Sequence, residues 1–386
     1  MERVKISKAV TIINDSVSEY KGKRPYLSTG NLDVSEIVDL EYFSFKEKPS
    51  RANLNVQAGD ILLARMKGTI KVKAVSEDEE NIIVSTGFLV LRSKENVDKQ
   101  FLFHLFNSSI FQNEKNELCT GATQKSINNN NFLKIEIPLP PLEEQQAIAE
   151  KLDQAQKIID LNEAEVARYD KLAQALFIDM FGDPVQNPKG WEMKKLGEIT
   201  NKIGSGATPR GGKESYKEEG IALIRSMNVY DNRFFYKDLA FIDSAQADKL
   251  KNVCVEENDI LFNITGASIC RSTIVPKDVL PARVNQHVSI IRMKKSVATP
   301  LFVNHLLISA SVKRSLLNIG SGGGAIMQAI TKQGLEDFEI ILPPITLQNE
   351  FAKRIEQIEI LKNQAQQELE QSKNLFQSLL QESFKG

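Results

Sequence analysis

The stretch IPLPPLEEQQAIAEKLDQ (Ile137–Gln154) and its counterpart IILPPITLQNEFAKRIEQ (Ile340–Gln357) decide how the chain is organised. A constant offset of 203 residues places Pro140 and Pro141 on Pro343 and Pro344, Gln145 on Gln348, Ala149 on Ala352 and Phe181 on Phe384. Upstream the same offset sets Gly121, Ala122 and Ile127 on Gly324, Ala325 and Ile330. With small shifts GDILLAR from Gly59 matches NDILFNI from Asn258, and FLFHLFNSS from Phe101 matches FVNHLLISA from Phe302, which aligns His104 with His305. Ordered self-similarity at a fixed period is the mark of an internal duplication. The chain therefore reads as two copies of one unit, each a globular part followed by a helix.

In each copy, β-rich runs such as DILLARM, NIIVSTGFLVLR, DILFNIT and HVSIIRM alternate with turn clusters and short helical stretches, which predicts a mixed α+β domain. Helix follows each proline pair. Ile148, Leu152, Ala155, Ile159, Asn162, Val166, Tyr169, Ala173, Leu176 and Met180 recur at alternating four and three residues, the spacing of a coiled-coil seam. Phe351, Ile355, Ile358, Ala365, Leu369, Ser372, Phe376 and Leu379 form a similar stripe, with Leu361 expected to cover a slot slightly out of phase. No Gly or Pro interrupts either segment, so each can run for ~38 residues, or ~57 Å. A helix that long buries its stripe best against its counterpart. The duplication predicts an antiparallel coiled coil in a pseudo-twofold arrangement, with Asn162 either setting its register or tolerated by loose packing. The expected divisions are residues 1–137, helix 138–183, residues 184–340 and helix 341–386.

Composition, with 41% apolar and 26% charged residues, suits a folded protein. No apolar run reaches the ~20 residues of a membrane helix, and the N-terminal residues lack a signal-like apolar stretch, so a cytoplasmic location is expected. Cys119, Cys254 and Cys270 have neither paired number nor CxxC spacing and read as three buried thiols. The net charge of -1 is unevenly spread. Residues 1–137 carry 19 Lys and Arg against 18 Asp and Glu, and residues 184–340 carry 21 against 16. The helical segments 138–183 and 341–386 carry 4 against 10 and 5 against 6. Acidity thus lies in the helices, which permits basic faces elsewhere.

No catalytic motif is visible in the sequence. GSGATPRGGKES breaks the GxxxxGK[ST] spacing of a phosphate loop, and GSGGGA from Gly320 lacks GxGxxG and reads as a flexible or tightly turned loop. His104, His287 and His305 are too separated for a histidine-rich metal site, and His104 and His305, at equivalent apolar positions, read as structural. LPPL and LPPI lack the flanking polar and aromatic residues of an amino-methyltransferase motif.

TGATQKSINNNNFLKIEIPLPPLEEQQAIAEKLD, its copy GGGAIMQAITKQGLEDFEIILPPITLQNEFAKRIE, and MFGDPVQNPKGWEMKKLGEI at the start of the second half resemble the specificity subunits of type I restriction-modification systems. GSGATP with GIALIRSMNV, and TGASICRSTIVP with ARVNQHVSIIR, resemble that family's target-recognition domains. The first copy departs from the pattern where MERVKISKAV stands for GWEMKKLGEI, and it lacks a GxTP loop. The resemblance implies a non-catalytic subunit whose two target-recognition domains each read half of a split double-stranded DNA site. Its helices would space the domains and dock two methyltransferase subunits and, through the complex, restriction/translocase subunits. S-adenosylmethionine, ATP and magnesium would belong to those partners, with no cofactor or metal on this chain. The competing reading is a stand-alone or regulatory DNA-binding protein of the same fold. A self-sufficient DNA enzyme would need a motif the sequence lacks.

Bases are read at their edges by Arg, Lys, Asn and Gln, and phosphates are held by Lys and Arg. The first domain offers Lys21, Lys23, Arg24, Arg51, Arg65, Lys67, Lys71, Lys73 and Lys125, with the run Asn128, Asn129, Asn130 and Asn131. The second offers Arg210, Lys213, Arg225, Asn228, Arg233, Arg271, Arg283, Lys313, Arg314 and Lys332.

Overall fold

The structure, a computed structural model, describes residues 3–208, 211–320 and 329–385, with the backbone alone at Lys213 and Ile319. Arg210, the Lys213 side chain and the glycine-rich loop after Gly320 lie outside the described residues. The chain divides into two compact units, one running to Ala164 and resuming at Gln366, the other Glu165–Ala365.

In the first unit an antiparallel sheet runs in the order Val10–Ile13, Phe88–Ser93, Ile61–Ala64, Val72–Ala74. A second, mixed sheet runs Glu41–Phe43, Arg24–Leu27, Ile83–Ser85, Ala52–Leu54, with only its central pair parallel. The second unit repeats both. Its antiparallel sheet is Thr200–Ser205, Val288–Met293, Ile260–Asn263, Ser272–Ile274. Its mixed sheet is Ala240–Ile242, Ile221–Ile224, Ala282–Val284, Cys254–Val255. The entry strand Arg3–Lys5 pairs with Glu136–Pro138 as Met193–Lys195 pairs with Glu339–Ile341, so the divergent first-copy sequence keeps the same strand.

The central strands are continuous apolar runs because both their faces are covered. Ile61 and Leu63 enter a core shared with helices, whereas Leu62 and Ala64 enter the core between the sheets. Ile260 and Phe262, against Leu261, divide the same way. Just before each strand sits a buried carboxylate. Asp60 holds Arg92 through two bonds of 2.7 and 2.9 Å, and Asp259 holds Arg292 through two of 2.8 Å. Each also caps its turn, accepting from Gln57 N at 2.9 Å or Glu256 N at 2.7 Å.

The proline pairs give way to two helices of 40 residues, Leu142–Phe181 and Ile345–Phe384. A buried glutamine fixes each start. Gln145 accepts from Asp98 N at 2.9 Å and donates to Pro140 O at 2.8 Å; Gln348 does the same with Thr299 N and Pro343 O at 2.9 and 2.8 Å. Within each unit the helices pair antiparallel. In the first, Asn162 donates to Ser372 Oγ at 2.9 Å and Lys373 meets Glu163 at 2.7 Å. The cross-helix bond at Asn162 fits a register-setting polar residue. In the second, Phe351 packs on Phe177 and Phe181, and Lys362 meets Asp170 at 2.6 Å.

One seam expectation is corrected. Leu361 is 46% exposed, and the slot is filled instead by Lys362, 9% exposed. Its aliphatic stem can lie in the seam because the ammonium at its tip reaches Asp170. A second correction concerns the thiols: Cys119 and Cys270 are buried, but Cys254 is only half-buried.

Candidate nucleic-acid interface

The antiparallel and mixed sheets of each unit send their connecting loops to a shared edge. In the first unit Arg65 N donates to Gly87 O at 3.0 Å, Ile127 N to Arg65 O at 2.9 Å, and Met66 bridges Ser126. A cleft opens there, lined by Thr29, Arg51, Arg65, Met66, Thr86 and Gln124 among others. Lys67 and Lys125 are exposed beside it, tied by a 2.9 Å backbone bond. Lys71 reaches back to Thr29 O at 2.8 Å. Arg65 is half-buried, donating to Phe88 O and Ile127 O at 3.0 and 3.3 Å, and burial lowers its pKa from the ordinary arginine value. The structure thus gathers Arg51, Arg65, Lys67, Lys71 and Lys125, five of the sequence candidates, around one opening.

The second unit builds the same edge from other side chains. Ile264 N donates to His287 O at 3.0 Å, Ile330 N to Ile264 O at 2.9 Å, and Thr265 bridges Ala329. Where the first unit has Thr86 and Gly87, the second has Gln286 and His287. Thr208 donates to Gln286 Oε1, Gln286 Nε2 lies 3.1 Å from His287 Nε2, and His287 Nδ1 lies 2.6 Å from Thr265 Oγ1. Gly206 in the adjoining GSGATP stretch permits this: a Cβ there would stand 1.7 Å from Val284 O. Gln286 and His287 are absent from the sequence candidates, most of which are Lys and Arg. Their signal was the matched position of QH beside the DILFNIT strand.

Each unit also carries a two-stranded hairpin beside this edge, Leu32–Asp33 with Glu36–Ile37 and Val229–Tyr230 with Arg233–Phe234. The first presents Val34, 55% exposed at φ 49°, a strained conformation for a β-branched residue. The second presents exposed Arg233, its guanidinium 5.7 Å from the Phe235 ring centroid, and Tyr230, over whose ring Arg271 stacks at 4.2 Å.

Other sequence candidates serve the fold. Asn228 is fully buried, donating to Phe235 O at 2.9 Å and accepting from Arg225 N at 3.0 Å. Arg283, 9% exposed, spends its guanidinium on Ala247 O and Ala282 O at 3.2 and 2.9 Å. Neither can reach a base while so engaged. Arg24 is held by Asn81 O and Asn55 Oδ1 at 3.1 and 3.2 Å, and Arg225 by Asp238 O and the Tyr216 ring. Asn128 caps the short helix Asn129–Phe132 by accepting from Asn131 N at 2.8 Å, and Asn131 donates to Leu118 O at 3.0 Å. Lys73 pairs with Glu79 at 2.9 Å, Lys313 with Asp231, and Lys332 with Glu336 at 3.4 Å. Lys21, Lys23 and Arg314 are exposed, but none lines the cleft.

His104 bonds Asp153 at 2.7 Å and is buried. His305 is buried against the Phe351 ring, its pKa pushed down to about 4 by burial and, secondarily, by Lys362. Neither lies at the loop edge, in keeping with structural roles.

The architecture can be set beside known proteins. The family described as type I restriction modification DNA specificity domain matches twice, over residues 4–168 and 188–371. The chain belongs to this family. Members similar to it include the Type I restriction enzyme EcoKI specificity subunit of Escherichia coli, 22% identical over 93% of this chain and 80% of that one. The Type I restriction enzyme MjaIX specificity subunit of Methanocaldococcus jannaschii is 24% identical over 88% of this chain and 78% of that one. A chain from a solved structure on complex assembly and conformational transition of the type I R-M system shares the fold. It has a TM-score of 0.65 at 22% identity, covering 100% of this chain and 97% of that one. A type I restriction-modification S subunit from M. genitalium aligns with a TM-score of 0.54 at 15% identity, over 100% and 96% of the two chains. Each matched segment takes in one globular part and the larger share of the long helix that follows it. Among the described residues, no helix is long and apolar enough to cross a membrane.

Proposed function

We propose that this specificity subunit reads a bipartite double-stranded DNA site, one half per domain, for a cytoplasmic restriction-modification complex whose chemistry lies in other chains. The observation carrying this reading is the duplicated loop edge with unlike side chains: Arg65, Met66, Thr86 and Gly87 in one unit, Ile264, Thr265, Gln286 and His287 in the other. One scaffold presenting two chemistries suits two different half-sites. S-adenosylmethionine, ATP and magnesium are assigned to the partners.

The long helices would dock two copies of one methyltransferase. Ile158 and Leu172 are 51 and 50% exposed on the first helix, and the residues 203 positions later, Leu361 and Leu375, are 46 and 57% exposed on the second. Apolar side chains repeated at equivalent solvent-facing positions favour two identical partners over none, and so weigh against the stand-alone reading. Partner docking also compensates for recognition domains with little net positive charge, since DNA affinity scales with phosphates neutralised.

Replacing residues 184–340 by the equivalent part of a relative, followed by mapping of methylated host DNA, tests the reading. One half of the site should change. A change in both halves, or in neither, refutes modular recognition, and failure to co-purify with a methyltransferase subunit would restore the stand-alone alternative.

A further inference from the structure

Lys115, in the helix Ser109–Glu117, is a fully buried cation with no carboxylate partner among the described residues. Its ammonium donates to Ala64 O at 3.3 Å and Thr69 O at 2.9 Å, the carbonyls on either side of the segment Arg65–Gly68. The same segment is held from its helix neighbour by Gly68 N on Asn116 Oδ1 at 2.9 Å, and from the next loop by Lys67 N on Lys125 O. Everything that fixes this turn converges on the loop edge carrying Arg65, Met66 and Lys67.

The duplication supplies a control. The alignment that sets His104 on His305 sets Lys115 on Leu316, also fully buried. An apolar side chain therefore satisfies packing at this place in the fold. Burying an ammonium instead costs free energy unless its hydrogen bonds offset it, and charge-assisted bonds are the stronger kind. The position in the first unit has thus acquired a task beyond filling space.

We infer that Lys115 is a positioning residue for recognition: its ammonium clamps both ends of the Arg65–Gly68 turn, and discrimination at the first domain's half-site depends on that clamp being charged. This rests on the proposed half-site reading. Burial brings the ammonium down to about 8, so the clamp titrates just above neutrality. Among the described residues the titratable group acting on it is Cys119, whose thiol burial pushes up, and Lys67 from the turn acts on that thiol. Above its pKa the amine keeps two N–H donors but loses the charge that strengthens them.

The test uses the complex with its methyltransferase subunits and duplexes carrying the mapped site, intact or altered by one base pair in either half. The affinity ratio of intact to altered duplex is measured at about pH 7 and about pH 9.5 for the wild type and Lys115→Met. For the wild type, the first half-site ratio should fall about tenfold at the higher pH, a weakening of ~1.4 kcal/mol, while the second half-site ratio stays constant. Lys115→Met should show the low first ratio at both pH values. A lowered melting temperature with unchanged ratios in the variant, or a wild-type ratio flat with pH, overturns the inference. Should Lys115→Met fail to fold, the wild-type pH comparison decides alone. Absence of discrimination at either half-site near neutral pH would instead count against the half-site reading itself.

Discussion

Phe384 packs edge-on against Phe101, ring centroids 5.3 Å apart, so the last turn of the second long helix completes the core of the first unit. Phe181 and Phe302 make the matching contact at 4.8 Å in the second unit. Each helix therefore begins in one core and ends in the other.

This arrangement predicts unit-specific damage. Phe384→Ala should cost about 3–5 kcal/mol in the first unit, the range for emptying a buried phenylalanine site. Hydrogen exchange should quicken in strand Ile61–Ala64 and leave Ile260–Asn263 protected; Phe181→Ala should reverse the pattern. Equal loosening of both strands by either variant would contradict the assignment of helix ends to cores.

Acid should weaken the second unit through His305. Its folded pKa of about 4 lies below the ordinary histidine value near 6.5, so the unfolded chain binds the extra proton first. Stability is full above ~6.5 and falls as pH drops towards 4, by on the order of 3 kcal/mol. Urea midpoints of the wild type and His305→Leu, followed from about pH 7 to pH 4.5, should show a shallower acid decline in the variant. Parallel declines would assign the acid sensitivity to other groups.

Recognition by the second domain should depend on the Thr208–Gln286–His287–Thr265 chain. A lost bidentate base contact costs ~1–3 kcal/mol of discrimination. Gln286→Ala with His287→Ala should relax one half of the methylated sequence and leave the other intact, as read by methylation mapping. An unaltered site would remove these residues from the reading surface.

Helix length should set the gap between half-sites. Deleting one heptad from each long helix removes ~10 Å of helix, about three base-pair steps. The methylated site should keep both halves and lose spacer, and an unchanged spacer would end the ruler interpretation.

Much of this fold was legible because duplication leaves a double record. The offset that aligned Gln145 with Gln348 predicted equivalence, and the two amides bind equivalent backbone groups. The seam was readable from heptad spacing except where Lys362 displaced Leu361, since hydropathy cannot show that a lysine stem finds Asp170 at its end. The loop edge was legible only in part. Arg283 and Asn228 looked like DNA ligands, but polar residues that brace turns and sheets carry no mark in a single sequence distinguishing them from exposed ones. Gln286 and His287 were not put forward as DNA ligands for the converse reason, being neither Lys nor Arg.

The exchange of helix ends also bears on synthesis. The first globular part leaves the ribosome without the wall that Phe376, Leu380 and Phe384 later provide. Residues 165–365 must be made before that wall arrives, ~10–40 s at elongation rates of ~5–20 residues per second. During that interval Phe101 and its neighbours lack their cover. The first domain thus keeps part of its core uncovered until the chain is finished, whereas every segment of the second, contiguous in sequence, is made before the last helix end.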